Sequence, residues 1–423
     1  MDKLAILGGP KAVGSDPGDI FKWPIITEED EAAMLEVLRA GNMSGTDVTV
    51  EFEKEFAAWH GTEYALAHNT GTAALHSAMW ACGLRAGDEI ISQSATYWAT
   101  FLPALNLGAA IVFADIDPDT LTLDPADVER KITDRTRVIM TVHLSGYPTD
   151  MDPIMAIANA RGIKVIEDVS HAHGALYKGR LVGTLGHVGA MSCMSGKSFA
   201  VGEGGMLITN DKEIYERAAA FGHYERTSQL EDPSVKPFAG LPLGGFKYRM
   251  HQLSSAVGRV QLKSYQERME EIQQAMNHFW DLLEGAPGLR SGRPPKESGS
   301  TMGGWYATRG IYVPEELDGL SIETFCDAVR AEGVSTRPGG RTLHLHPLLN
   351  DVDVYGHGKP TRLAHTGRDV RQLEGSLPQT ERMAKRRFST PWFKRYRPDI
   401  IKEYAEAFRK VVTQAGELPR DQA

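Results

Sequence analysis

From Tyr64 to Ile208, short apolar runs alternate with longer amphipathic segments. Four of the runs, Glu89–Ser92, Ala110–Ala114, Arg137–Val142 and Lys164–Glu167, are rich in β-branched residues and apolar at consecutive positions. A strand with one face in water alternates apolar and polar residues; a strand apolar on both faces is covered on both sides, as in parallel sheets. Between the runs, Thr72–Leu84 and Asp124–Ile132 carry their apolar residues at helical spacing. The pattern predicts an α/β domain of three layers, a mostly parallel sheet between helices, with ligands gathering beyond the carboxyl ends of the strands. Asp168 stands at such an end.

After Leu253 the pattern changes. Ser254–Met276 reads as one long helix leading away from the sheet, Gly285–Thr301 as a surface loop rich in Pro, Gly and charge, Tyr306–Val313 as a strand and Ser321–Glu332 as a helix. A smaller C-terminal α+β domain is expected, which divides the chain into residues 1–255, an N-terminal arm with the large domain, and 256–423. A length of 423 residues exceeds the usual size of a single core and agrees with two domains. Residues 349–375, polar with several Gly and His, read as a long loop able to close over a site or meet a partner subunit.

Composition narrows the function. A net charge of −9 and a pI near 5.9 argue against a nucleic-acid-binding surface, but not against one local anion pocket. Cys82, Cys193 and Cys326 are too few and too scattered for a disulfide framework or a zinc signature, and suit a reducing cytoplasm. No stretch approaches the roughly 20 apolar residues that span a bilayer, so a cytoplasmic protein without a membrane segment is expected. His344 and His346 form the best local metal candidate, but without a third ligand no metal site is expected.

The candidate chemistry centres on Lys197, a lone lysine in the small-residue run Ser192-Cys-Met-Ser-Gly-Lys-Ser-Phe-Ala-Val-Gly-Glu-Gly-Gly205, and on Asp168. A lysine amine can hold an aldehyde cofactor as a Schiff base, and a carboxylate opposite a pyridine nitrogen keeps that nitrogen protonated, so the pair points to pyridoxal 5'-phosphate (PLP). Singly, each residue has an ordinary role in a turn or cap. Upstream, His68-Asn-Thr70-Gly71-Thr72-Ala-Ala-Leu75 is a small turn feeding a helix, which caps the helix and also exposes N–H groups to a phosphate. Ser192 adds a hydroxyl to the same end. Tyr97 and Trp98 follow a predicted strand, where one ring can lie on a planar cofactor. His171, three residues past Asp168, can meet the cofactor's phenolic oxygen.

These motifs resemble the DegT/DnrJ/StrS aminotransferases, fold-type I PLP enzymes that act on keto sugars and keto cyclitols. The resemblance spans nearly the whole chain and rests on Thr70–Ala74, Thr96–Thr100, Glu167–His171, and Lys197 with Gly202–Gly205. It implies that Lys197 is the Schiff-base lysine and proton shuttle, that Asp168 partners the pyridine nitrogen, that Tyr97 stacks on the ring and that His171 faces the phenolic oxygen. It further implies that Thr70, Gly71, Thr72 and Ser192 hold the phosphate. The family's Gly-x-Asn-Tyr-Arg element, which reaches the phosphate from a neighbouring subunit, corresponds to Gly245-Phe-Lys247-Tyr248-Arg249, with Lys247 in place of asparagine. A homodimer with shared sites follows.

The implied reaction moves an amino group from L-glutamate or L-glutamine to the acceptor, as in the biosynthesis of amino sugars and aminocyclitols of natural products, antibiotics among them. Lysine at 197 separates the chain from related sugar 3-dehydratases, which carry histidine there. Ser192-x-x-x-Gly-Lys197 is closer to the family's cyclitol enzymes than to its nucleotide-sugar enzymes, so a small keto cyclitol or free keto sugar is the first expectation and a nucleotide-diphosphate keto sugar the alternative. The basic runs Arg290–Lys296 and Lys385–Arg397 would serve a diphosphate or simply form solvated surface, and Arg249, Arg341 and Lys247 are candidates for the donor's carboxylate. A non-catalytic regulator on the same fold and a different PLP reaction, such as elimination or dehydration, are the remaining readings.

Overall fold

The computed structural model describes residues 2–420. Its strands are β1 (Tyr64–His68), β2 (Glu89–Gln93), β3 (Ala110–Ala114), β4 (Thr136–Val142), β5 (Lys164–Asp168), β6 (Leu176–Tyr177), β7 (Arg180–Leu181), β8 (Val188–Ser192), β9 (Gly205–Thr209), β10 (Leu289–Ser291), β11 (Arg309–Tyr312) and β12 (Arg387–Ser389). Seven form the main sheet in the order β1-β9-β8-β5-β4-β2-β3. β9 runs against β1 and β8, while the β5–β8, β4–β5, β2–β4 and β2–β3 pairs are parallel, so the sheet is mostly parallel.

The unbroken apolar runs have the expected cause. Ile90, Ile111, Val138, Ile166 and Leu207 pack on one face with Ala74, Ala78 and Met79 of the helix Gly71–Ala81. Their neighbours Ile91, Val112, Ile139, Val165 and Ile208 pack on the other face with Phe52, Phe56, Ile154 and Ala158. Consecutive residues of one strand thus enter different helix layers, the period of two that a strand imposes.

A third core gathers Phe279, Phe325, Phe388 and Phe408 from the C-terminal part, and Leu4 and Ile20 from the beginning of the chain join it. The helix connecting the two parts runs over Gln252–Leu282. Its antiparallel sheet has the order β10-β11-β12. β10 lies inside the segment expected as a plain loop, because buried Leu289 pairs with Tyr312 of β11. The strand expected over Tyr306–Val313 is shorter, since Trp305 and Ala307 adopt left-handed backbone angles that break it before Arg309. No helix among the described residues is long and apolar enough to cross a membrane.

Residues 349–375 seal an edge of the sheet. β3 is an edge strand, and the side chain of buried Gln372 pairs with it as another strand would: Phe113 N donates to Gln372 Oε1 at 3.1 Å and Gln372 Nε2 donates to Phe113 O at 2.5 Å. Fully buried Arg362 donates to Ile111 O at 3.1 Å, bonds to Gln372 and lies over the Phe113 ring. An open edge would otherwise present its backbone groups to another chain. Gln372→Ala should therefore lower stability by about 1–3 kcal/mol, the cost of leaving buried backbone groups unpaired. The denaturation midpoint of the variant against the parent checks this.

Candidate active site

The carboxyl ends of β2, β4 and β5 and the β8–β9 connection meet at one place. Asp168, the last residue of β5, is 4% exposed. Its Oδ2 accepts from Thr100 Oγ1 at 2.8 Å and its Oδ1 from Ser170 N at 3.0 Å, and Thr100 is in turn bonded to Thr96 Oγ1 at 2.9 Å. The preceding residue points the other way along the pleat: Glu167 accepts from the N–H groups of Gly183, Leu185 and Gly186 and bonds to His143 at 2.9 Å. One carboxylate holds the loop beneath the strand and the other is left for the site.

Lys197 sits in the β8–β9 connection, whose ends are closed by Cys193 N donating to Gly204 O and Ser195 N donating to Gly202 O, both at 2.8 Å. The side chain is 8% exposed and Nζ lies 4.1 Å from the centre of the Tyr306 ring. Burial pushes its amine down to about 8, while Asp168 and Cys193 pull the other way. From the N-terminal arm, Trp23 Nε1 donates to Lys197 O at 2.7 Å and fixes the backbone beneath the amine.

His171 is held by its neighbours. Ser145 N donates to His171 Nδ1 at 3.3 Å, which leaves the proton of the neutral ring on Nε2, and Tyr306 meets the ring edge to face at 4.8 Å. Burial, then the charges of Lys197, His173, Arg309 and Arg341, hold His171 well below the usual histidine range. The ring is therefore a neutral hydrogen-bond donor at Nε2. His173 Nδ1 bonds to Ser198 at 3.2 Å, and its Nε2 is buried without a partner among the described residues.

The anion end is built from the helix Gly71–Ala81. Thr70 Oγ1 accepts from Ala73 N at 3.0 Å, the capping role, so the hydroxyl hydrogen is still available to donate. The N–H groups of Gly71 and Thr72 have no acceptor among the described residues. Ser192 lies against this turn, because a Cβ on Gly71 would come 2.5 Å from Ser192 Cα. Two free N–H groups, a serine hydroxyl and a helix N-terminus suit a phosphate, and the amine and carboxylate nearby suit an aldehyde-bearing pyridine ring.

Tyr97 is exposed, tilted against Trp98 and covered by the guanidinium of Arg341 at 5.3 Å. Lys247 is exposed within one chain. Its ammonium lies 5.7 Å from the Tyr224 ring, while its carbonyl accepts from Asn69 beside the Thr70–Thr72 turn at 3.4 Å. His344 bonds to Ser94 and Glu381, and His346 Nδ1 accepts from Leu348 N, so the two point to separate partners. Much of the two basic runs is spent in ion pairs: Arg290 with Glu316, Arg293 and Lys296 with Asp281, Arg386 with Glu315, Arg395 with Glu271 and Arg397 with Asp19. These paired residues offer little to a diphosphate, whereas Arg387 and Lys394 of the second run are buried without an acid partner among the described residues. Thr100, Ser145, Ser170 and Tyr306 contact the site without having been singled out by sequence. Thr100 and Ser170 lay within the quoted motifs, whereas Tyr306 and Ser145 carried no signal.

The chain matches the model of the DegT/DnrJ/EryC1/StrS aminotransferase family over residues 24–409. It belongs to that family. The putative L-glutamine:3-amino-2,3-dideoxy-scyllo-inosose aminotransferase of Micromonospora echinospora is 33% identical over 389 residues, 90% of this chain and 90% of that one. GDP-perosamine synthase of Caulobacter vibrioides is 33% identical over 341 residues, covering 78% and 89%. The solved aminotransferase from Psychrobacter cryohalolentis superposes with a TM-score of 0.80 at 28% identity, over 93% of this chain and 99% of that one. Aminotransferase family membership agrees with the buried lysine, whose chemistry needs the amine neutral.

A depressed amine sets a pH dependence. The protonated form is unreactive, and burial lowers the pH at which it disappears, so reactivity rises through about pH 8 and then levels off. Trapping the cofactor-free protein with a small aromatic aldehyde and borohydride, then locating the label by mass spectrometry, should show Lys197 levelling near pH 9, about a unit past that midpoint, while exposed lysines still gain above pH 10.

Proposed function

We propose that the protein uses PLP to move an amino group from L-glutamate or L-glutamine to a keto cyclitol or keto sugar. The observation that carries this reading is the buried amine of Lys197, lowered to about 8 by burial and close enough to feel the charge of Asp168, on the connection that follows Ser192 and the turn with the unpaired N–H groups of Gly71 and Thr72. Bound there, PLP supplies an electron-accepting ring that lets the donor's Cα give up its proton. Lys197 carries that proton away and returns it. Asp168, held by Thr100 and Ser170, would accept from the ring's N–H, and His171 would donate from Nε2 to its phenolic oxygen. Thr70, Gly71, Thr72 and Ser192 would hold the phosphate, and Tyr97 would cover the ring.

The acceptor divides into two classes. One relative is named for an aminodideoxy-scyllo-inosose and another for GDP-perosamine, so the family membership supports a cyclitol and a nucleotide sugar equally. The run Ser192-x-x-x-Gly-Lys197 favours the first, and a screen has to include both. The regulator reading ends with detectable turnover on either. L-Glutamate or L-glutamine, added separately to the PLP-loaded protein, should shift the cofactor absorbance from the lysine-linked to the amine form, and Lys197→Ala should lose the starting band and at least about 10³-fold in turnover. An unshifted band with both donors refutes the proposed donors.

A homodimer with shared sites completes the reading, Lys247 reaching the phosphate of the second subunit. Phe238, Leu241, Leu243 and Phe246 are exposed in the segment leading to Lys247, and one chain alone leaves this apolar run in water. Sedimentation should give twice the monomer mass, and Leu241→Asp should shift the protein towards monomer with loss of PLP.

A further inference from the structure

The small sheet presents one face to the site. Gly310 and Phe388 pair across β11 and β12, and Phe388 and Tyr312 enter the C-terminal core. The alternate residues Arg309, Ile311, Arg387 and Ser389 therefore share the opposite face. Ile311 packs there with the cluster of Ala95, Leu144 and Met383, two of which flank the site at the ends of β2 and β4. Arg309 follows Tyr306 by three residues, and its charge and that of Arg341 act on His171. Arg341 covers Tyr97 from the segment that follows the helix Ile322–Ala331, and Arg387 is 6% exposed with an unpartnered Nε. A Cβ on Gly340 would lie 3.0 Å from that Nε, so the Gly340 backbone packs directly against the Arg387 guanidinium.

None of these three arginines is paired with a carboxylate among the described residues, and the charges that bear on Arg309 are those of Arg337 and Arg341. Several cations held together without a counter-charge repel one another, and an anion entering between them removes that cost. The planar fork of a guanidinium matches a carboxylate with two parallel bonds. Position selects which anion. A donor's α-carboxylate is attached to the reacting carbon itself and so has to sit beside Lys197 and His171, where Arg309 acts. The phosphates of a nucleotide sugar are separated from the reacting carbon by the sugar ring.

We propose that Arg309 and Arg341, backed by Arg387, form the pocket for the α-carboxylate of the amino donor. This rests on the aminotransfer reading above. The probe is glutarate, a dicarboxylate with no amine to react, titrated by calorimetry into the PLP-loaded protein. Arg309→Gln should weaken glutarate at least tenfold, and Arg309→Lys should restore part of the loss, since it returns the charge without the fork. Exposed Arg341→Gln guards against misfolding and should weaken glutarate severalfold with an unchanged denaturation midpoint. In the donor half-reaction, Arg309→Gln should raise the half-saturating donor concentration at least tenfold while the rate at saturation changes less than threefold. Absence of glutarate binding to the parent protein, parent-like affinity in Arg309→Gln, or a defect confined to the acceptor half-reaction would overturn the proposal. If neither glutamate nor glutamine reacts but the glutarate result holds, the pocket stands and the named donors fall.

Discussion

Three backbone segments converge at the anion end of the site where no Cβ fits. Gly205 opens β9 between His68 of β1 and Ser192 of β8, and a Cβ on it would lie 2.4 Å from Thr70 O. A Cβ on Gly71 would strike Ser192. The turn that offers N–H groups and the strand that leads to Lys197 are therefore locked main chain to main chain, with no side chain between them to adjust. Backbone in contact with backbone is the least deformable spacing a protein can make, and glycine is what permits it. The separation between the Thr70–Thr72 turn and the Lys197 amine is in this way a property of the sheet. The antiparallel β9 is essential to it, because only a strand returning beside β8 closes the short connection that carries Lys197.

The same enclosure sets the electrostatics. A lysine that is 8% exposed keeps its charge poorly, and an aromatic ring at 4.1 Å compensates less than water would. The amine is consequently neutral over more of the useful pH range than a surface lysine. Asp168 differs from its neighbour on β5 through its donors. Glu167 receives three N–H groups and a histidine and is saturated, whereas each oxygen of Asp168 accepts one bond and retains a lone pair for a ligand. Adjacent acidic residues so divide into one that builds and one that is available, and the pleat alone sends them to opposite sides.

Much of this was legible along the chain. The apolar runs predicted β2, β3, β4 and β5 nearly to the residue, and the turn at Thr70–Thr72, the lysine and the aspartate stood in local motifs. What escaped has a physical reason in each case. Periodicity reveals that a segment is extended but not its direction, so the reversal of β9 was invisible. Tyr306 enters the site from a stretch bent by positive φ at Trp305 and Ala307, a conformation that non-glycine residues do not announce. Gln372 and Arg362 lie in a polar segment whose composition suggested a loop, and their role as a substitute strand depends on the edge they meet. The contribution of Ser145 is a backbone N–H, which no side chain signals.

Charge shows the limit of reading density along a sequence. The clustered basic residues that stand out in the linear order lie on the surface of an acidic protein, where Asp19, Glu271, Asp281, Glu315 and Glu316 neutralise them. Arg309 and Arg341 stand as isolated cations, and Arg387 belongs to a basic run whose next-door member Arg386 is paired with Glu315. β11 and β12 bring Arg309 and Arg387 to one face, where the charge of Arg341 from the segment after the helix Ile322–Ala331 also bears on Arg309. An anion pocket requires cations without partners, which is a property of depth and neighbours. Arg387 is buried and Arg309 partly so, while Arg341, though exposed, has no carboxylate partner among the described residues. The large sheet supplies the reacting groups and the small sheet supplies charge, so one fold can keep its chemistry fixed while residues of the small sheet change what it admits.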